Sequence, residues 1–416
     1  MANHVIGLLL GMEDDWPAAF ESLVRRANLR VRAGGDEHTF DVRRVEIEPF
    51  RLRADPTHDL VIDRLAWWYQ LPREWLKKLA MLNEVYLLND PFTFQSMEKH
   101  TAYCAMMRLG MNIPETWMLP TKVGPDNERF AETARRYNRL FDLDAIADRI
   151  GYPLFMKPFD GGGWVGVTQV DSRAQLHAAY DASGQRLMHL QQAVLDYDVF
   201  VRGLSIGPQT RIMRYRPERP QHDRYDTAQG FLDDDMNTEM VMTGRVINAF
   251  FRWEFNSCEC IVKHGVASPI DFANACPDVS LTSLHAHFPW AITALVKWSI
   301  FCAATGRRMA LDMDKRRYFE IADRPGLDPR ERLEAYFALS EAYFETERFE
   351  AFCATELRHV DEVAFEYFTS PAFDELLVAT VLATFRPHEH EHFVAHYRRL
   401  MAHWATDAAG GSAATG

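Results

Sequence analysis

PLFMKPFDGGGWVGV, residues 153–167, sets an apolar run ending in Lys157 and Pro158 against three glycines, a tryptophan and a further glycine. The run has the length of a strand, and Pro158 ends it because proline brings no N–H to a ladder. Gly161, Gly162 and Gly163 admit backbone conformations closed to other residues and let a ligand approach the main chain. Successive N–H groups in such a loop can meet phosphate oxygens, with Lys157 supplying positive charge. WVGVTQV, residues 164–170, alternates and reads as the return strand. Strand, glycine loop and strand differ from the strand, loop and helix of a Walker site. Taken alone, the same letters describe a tight hairpin with an exposed lysine and a tryptophan covering a core edge. Residues elsewhere decide between the two.

The chain has 416 residues, more than one core usually serves, so two to four domains or subdomains are expected. With 47% hydrophobic and 25% charged residues, its composition is that of an ordinary globular protein. A formal net charge of -13 argues against general affinity for nucleic acid or for an anionic membrane surface. No uninterrupted apolar stretch is long enough to span a bilayer. The opening MANHVIGLLLGMEDDW lacks the features of a secretory signal, and the six cysteines, at 104, 258, 260, 276, 302 and 353, have no disulfide-rich cadence. A reduced, cytoplasmic protein is the expectation. Cys258 and Cys260 read as buried small side chains rather than zinc ligands.

Upstream of the glycine loop, VIGLLLG at 5–11 predicts a buried strand and WPAAFESLVRRANL at 16–29 the helix after it. VRRVEIEPF and HDLVIDRL add candidate strands after a turn at Gly34 and Gly35, making a small α/β domain. It lacks a complete GxGxxG, so NAD binding has little support. Pro91 and Ser96 lie near a helix start; Glu98 to Leu109 form the helix, and Gly110 with IPET ends it.

Downstream, LMHLQQAV at 187–194 predicts a strand closing on Gln191 and Gln192, a suitable lining for a nucleotide pocket. Arg202, Arg211 and Arg214 follow on alternating strands; the odd spacing of the last two puts them on opposite faces. They read either as a solvated basic face or as ligands for phosphate or carboxylate. In AFFRWEFNSCECIVKHGVASPIDFANACPD, residues 249–278, Arg252 and Glu254 are expected on one face of a strand, with Asp271 and Asn274 near the end of a second. Such hard oxygen ligands suit Mg2+ when phosphate oxygens complete its coordination, although isolated carboxylates usually face solvent.

In this order the motifs resemble the ATP-grasp superfamily, particularly its carboxylate-amine ligases of the D-alanine ligase type, over about residues 5–310. Lys99 looks like the first nucleotide-binding lysine, Lys157 the second, and Gly161, Gly162, Gly163, Trp164 and Gly166 the mobile phosphate loop. Gln191, Gln192 and Val194 resemble the hinge strand lining adenine. RWE resembles the strand in which an arginine, Arg252, precedes an acidic Mg2+ ligand, Glu254. The second metal strand departs from the family's Glu-x-Asn: Asn274 matches, but Phe272 stands at the Glu position. Asp271 would then supply the carboxylate, with Asn256 or Glu259 as alternatives.

The resemblance implies an α+β fold: an N-terminal α/β domain (1–92), a linker and helical part of the nucleotide lobe (93–142), a central lobe (143–200) and a larger nucleotide and Mg2+ lobe (201–325). It implies ATP and Mg2+ as cofactors and small-molecule carboxylate and amine substrates, joined through an acyl phosphate. Lys157 and Arg252 would act on the transferring phosphate, and Arg202, Arg211 and Arg214 on phosphate or substrate carboxylate. A small-molecule kinase using the same parts and a nonenzymatic nucleotide-regulated binding or structural protein are the alternatives.

Residues 326–408 read as an amphipathic helical extension and 409–416 as a mobile tail. The extension would shape the acceptor site, form a homo-oligomer or bind a partner. His285 and His287 are expected in packing, and the HEHEH tract at 388–392 as a solvated helix start.

Overall fold

The computed structural model describes residues 2–93, 98–162, 164–274, 277–312 and 314–412. The fold is α+β: among the described residues the strands make one five-stranded and two four-stranded sheets. The chain packs as two compact units, one comprising Met1–Phe94, Val201–Ser257 and Ala275–Gly416, the other Gln95–Phe200 and Cys258–Asn274.

The first sheet belongs to the first unit. It contains β1 (Ala2–Leu9), β2 (Val31–Ala33), β3 (Asp36–Arg44), β4 (Leu60–Asp63) and β5 (Tyr86–Leu88), in the order β2-β3-β1-β4-β5. β1 runs parallel to β3 and β4, and β4 to β5, whereas β2 and β3 form an antiparallel hairpin. That hairpin closes on Gly34 and Gly35, at φ 58° and 92°, because a turn matching the twist of its strands needs positive φ. The expected strand over VRRVEIEPF stops early. Val45 donates a last ladder bond to Leu8 O at 2.9 Å, β1 ends one residue later, and residues 45–58 continue as irregular chain without a partner strand.

Helix Asp15–Ala27 follows β1 and ends where Asn28 turns left-handed at φ 42°. Its Trp16, Phe20, Leu23 and Val24 are buried, each contributing about 1.5–3 kcal/mol of hydrophobic stabilisation. The helix packs on Phe288–Ala304, Val360–Phe368 and Pro371–Thr384. The C-terminal helices are therefore built into this unit, where Phe368 meets Phe288 and Phe373 edge-on. Among the described residues, no helix is long and apolar enough to cross a membrane.

The second sheet lies in the second unit: β6 (Thr116–Leu119), β7 (Leu154–Pro158), β8 (Thr168–Val170) and β9 (Met188–Gln192), ordered β6-β9-β7-β8 and antiparallel throughout. Period-2 alternation sorts its faces. Leu154, Met156, Met188 and Leu190 enter a core with Ala147, Ile150, Leu176 and Tyr180 of two covering helices. Phe155, Lys157, His189 and Gln191 take the other face. The return strand is shorter than WVGVTQV, because Trp164 and Gly166 sit at φ 64° and 75° and cannot extend a strand.

β10 (Val199–Ile206), β11 (Gln209–Arg214), β12 (Phe255–Lys263) and β13 (Val266–Asn274) form the third sheet, ordered β11-β10-β12-β13; the boundary between the units falls within β10 and β12. The hairpin from β10 to β11 turns at Gly207, where a Cβ would lie 2.3 Å from Trp298 Cδ2.

Candidate functional site

Within the second unit, the two lysines singled out by sequence converge. Lys99 opens helix Lys99–Arg108; its N–H donates to Phe159 O at 2.6 Å and its Nζ to Gly161 O at 2.5 Å, with Asp271 Oδ2 3.5 Å away. Lys157, only 8% exposed on β7, donates from Nζ to Gln191 Oε1 at 2.7 Å, and Gln191 Nε2 donates in turn to Thr116 Oγ1 at 2.8 Å. Burial pushes the Lys157 ammonium down to about 8; Asp271 and Glu259 pull it up, and Lys99 pushes it further down. The arrangement is thus two close cations, with two carboxylates acting on them and a glycine segment tied over one.

Gly161 is at φ 81°, and Gly162 faces open space. At Gly166 a Cβ would stand 2.5 Å from an Arg186 guanidinium nitrogen and 3.1 Å from Pro158 Cγ. Gly163 lies outside the described residues. Trp164 is 42% exposed and meets the Phe155 ring edge-on, centroids 6.5 Å apart. Gln192 and Gln191 are neighbours on β9 and point to opposite faces; Gln191 is buried and Gln192 exposed. Val194 is half-buried beyond the strand's end.

The expected metal set does not assemble as written. Glu254 belongs to the first unit and is 1% exposed: Trp298 Nε1 donates to one oxygen at 2.8 Å, Tyr343 OH to the other at 2.6 Å, and Arg307 lies 3.9 Å away. A carboxylate sealed by an indole, a phenol and a guanidinium is a buried anchor, not an open ligand. Arg252 and Glu254 also share no strand face. Arg252 caps helix Asp234–Phe251 in the left-handed conformation at φ 62°, pairs with Asp312 at 3.1 Å and lies over the Tyr343 ring; β12 begins only at Phe255. The carboxylate of that segment acting on Lys157 is Glu259, whose charge also raises the pKa of buried Tyr103 after burial itself and Asp271. Tyr103 OH donates to Ile270 O at 2.6 Å. Phe272, at the family's Glu position, is buried with its ring 5.8 Å from Tyr103. Asp271 and Asn274 stand three apart on β13, a spacing that sends their side chains to opposite faces.

The arginines lie in the first unit. Register pairs Leu204 with Arg211 and Arg202 with Met213, so Arg202 and Arg211 share one face of the hairpin while Arg214, opposite Val201, takes the other. Arg202 donates to Ser257 Oγ at 3.1 Å and lies against the Tyr215 and Tyr225 rings. Arg211 Nε donates to His287 Nδ1 at 3.1 Å, leaving His287 Nε2 to donate to Asp226 O at 3.1 Å. Burial, with the Arg211 charge beside it, pushes His287 down to about 3 and keeps it neutral. His285 and His287 are both buried, as the apolar context of their segment predicts.

Sequence reading passed over His189. It lies on β9 two residues before Gln191, on the same face and in register with Lys157, and is 1% exposed. Its ring stacks on His100, and its Nδ1 has no hydrogen-bond partner among the described residues. Burial and then His100, Lys157 and Lys99 push it down to about 4. Alternation counted back from Gln191 is the signal that finds it. In the HEHEH tract, His390 Nε2 meets Phe385 O at 2.9 Å and Glu389 caps residue 386. Among the described residues, no group of three or more His, Cys, Asp or Glu could hold a metal ion.

No protein-family model matches the chain. A D-alanine–D-alanine ligase of Heliobacterium modesticaldum is 31% identical over 65 residues, a match spanning 16% of this chain and 17% of that ligase. Among solved structures, a RimK domain ATP-grasp protein of Sphaerobacter thermophilus has a TM-score of 0.49 at 15% identity, covering 70% of this chain and 98% of its own. The D-alanine–D-alanine ligase of Bacillus anthracis complexed with ATP has a TM-score of 0.48 at 13% identity, covering 73% and 98%. D-alanyl-alanine synthetase A of Vibrio cholerae has a TM-score of 0.49 at 13% identity, covering 73% and 98%.

Proposed function

We propose that this chain is an ATP-dependent carboxylate-amine ligase, joining a small carboxylate to an amine by way of an acyl phosphate. The observation that carries the reading is the convergence of Lys99, Lys157, Gln191 and Asp271 beside the glycine loop, inside one unit. ATP would supply the phosphoryl group that activates the carboxylate, and Mg2+ the charge that offsets its transfer.

The residues fit both groups. Lys157 carries a buried ammonium held by one neutral amide oxygen, a state that an anion would relieve. Lys99 is held by the Gly161 carbonyl and by Asp271, so phosphate oxygens would take over those donors and free the loop backbone. The main chain at Gly161 and Gly162 would close over the phosphates. Gln191, with its carbonyl oxygen on Lys157 and its amide on Thr116, would fix the lysine's aim. Glu259 and Asp271 would supply the hard oxygens; two protein carboxylates suit Mg2+, which usually completes its shell with phosphate and water.

The test is turnover with ATP and Mg2+ over a panel of small carboxylates and amines, with ADP, phosphate and coupled product followed separately. A ligase releases all three in step, and Lys157→Ala should cut ADP formation by about 100-fold or more. A phosphorylated product that persists without coupling to any amine would instead make it a kinase. Unchanged turnover in Lys157→Ala would remove the reading altogether.

A further inference from the structure

In the first unit, the irregular chain at 45–58 arches over the first sheet. It leaves a cavity of about 450 Å3 between itself and helix Gln70–Leu82. The arch can lie this close only because Gly7 has no side chain: a Cβ there would stand 2.8 Å from His58 Cδ2 and 3.0 Å from Val45 Cγ2. Into the cavity reaches Lys78, 7% exposed, whose Nζ donates to Ala54 O at 2.5 Å. Its neighbour Lys77 is paired with Glu74, but among the described residues no carboxylate comes within ion-pair distance of Lys78. Arg44, also on the wall, is committed to Asp14 and Glu21.

An ammonium has three donors, and here one carbonyl takes one of them, with no carboxylate within ion-pair distance among the described residues. A chain needing only a tether for the arch would do better with a neutral donor. One wall is apolar: Trp75 meets His58 edge-on at 6.1 Å, with Leu71, Pro72 and Leu79 beside them, while Arg43, Arg51, Glu46, Glu48 and Asp55 line the arch side. Burial and the Arg43 charge lower the His58 pKa, so its ring is a neutral surface rather than a second cation.

We infer that this cavity binds a small organic anion with a flat apolar body, its acid group on Lys78 and its body against Trp75. The acid group would accept the two Nζ hydrogens that Ala54 leaves, and the indole would stack or edge-pack on the ring. The site is independent of the nucleotide reading.

Calorimetric titration of the full chain with 2-naphthoate, 2-naphthyl phosphate, inorganic phosphate and the neutral 2-naphthamide tests it. One or both naphthyl anions should bind saturably, and Lys78→Met should weaken them at least about tenfold, the value of a hydrogen bond to a charged group. Trp75→Leu should weaken them as well, while 2-naphthamide distinguishes little between wild type and Lys78→Met. The stronger naphthyl anion tells carboxylate from phosphate. Ligand-free Lys78→Met should melt no lower than wild type, because it replaces a buried side chain that has no ion-pair partner among the described residues with an apolar one of similar length. Failure of both naphthyl anions to saturate the wild type, equal binding by Lys78→Met, or inorganic phosphate binding as tightly as the naphthyl anions would each overturn the inference. So would a clearly lowered melting temperature of Lys78→Met, which would make the lysine a loop tether.

Discussion

At Lys157 the cost of burial and the proposed use of the side chain pull in opposite directions. Its folded-state pKa, about 8, lies below the ordinary 10.5, so between these values the folded chain binds fewer protons than the unfolded one. The destabilisation is therefore complete below pH 8 and fades as pH rises through 8 toward 10.5, whereas phosphate binding needs the proton that is lost over that range. We expect kcat/KM for ATP to fall above about pH 8, and the fall in kcat to come later, since bound phosphate would hold the proton on. Lys157→Arg, if active, should show no such fall; an identical alkaline limb in that variant would assign it to another group. Glu254 and Glu259 separate by a second measurement. Glu254→Gln disturbs the acceptors of the buried Trp298 and Tyr343 donors and should cost about 1–3 kcal/mol in urea unfolding with the Mg2+ dependence of turnover intact. Glu259→Gln should raise the Mg2+ concentration needed for turnover. A reversal of these two outcomes would restore Glu254 as the ligand.

Among elements, the glycine loop divides by geometry. Gly166 is at φ 75° with its Cβ direction filled, so Gly166→Ala should lose about 1–2 kcal/mol of stability. Gly162 faces open space without positive φ, so Gly162→Ala should melt within experimental error of wild type. If the main chain there approaches phosphate, the same variant should still slow ADP formation; equal rates would argue that the loop does not close at Gly162. The strand and loop around Lys157, the helix after Lys99 and the C-terminal helices were all legible in sequence, because alternation, a stop at Gly110 and amphipathic spacing are local signals. The segment around RWE was not. Helix Asp234–Phe251 ends on a left-handed arginine rather than a glycine, so no stop letter marks its end, and the apolar letters on either side pass for one strand. Glu254 read as a Mg2+ ligand because its partners, Trp298, Arg307 and Tyr343, are far along the chain, and no local pattern reports them. The shortness of β8 was hidden for the opposite reason: alternation was present, but positive φ at Trp164 and Gly166 overrode it.

At the scale of the whole molecule, buried histidines set the response to acid. His189, His285 and His287 are held at about 4, 4 and 3, so the stability they confer is present above the ordinary 6.5 and is lost as pH falls. Asp63 and Asp90, raised by burial to about 6, act the other way: their contribution is full below 3.8 and is lost as pH rises through 6. Three larger displacements outweigh two smaller ones, so the melting temperature should be lower at pH 5 than at pH 7; a flat or rising trend would contradict the neutral burial of these rings. The packing of helix Asp15–Ala27 against Val360–Phe368 and Pro371–Thr384 reaches beyond equilibrium stability, to the order in which the protein can be made. The face bearing Trp16, Phe20, Leu23 and Val24 leaves the ribosome early, yet part of its cover lies ~340 residues later, roughly 20–70 s at the usual pace of synthesis. For that interval the nascent chain carries an uncovered apolar helix, and a holding chaperone that engages it during translation should raise the yield of native protein.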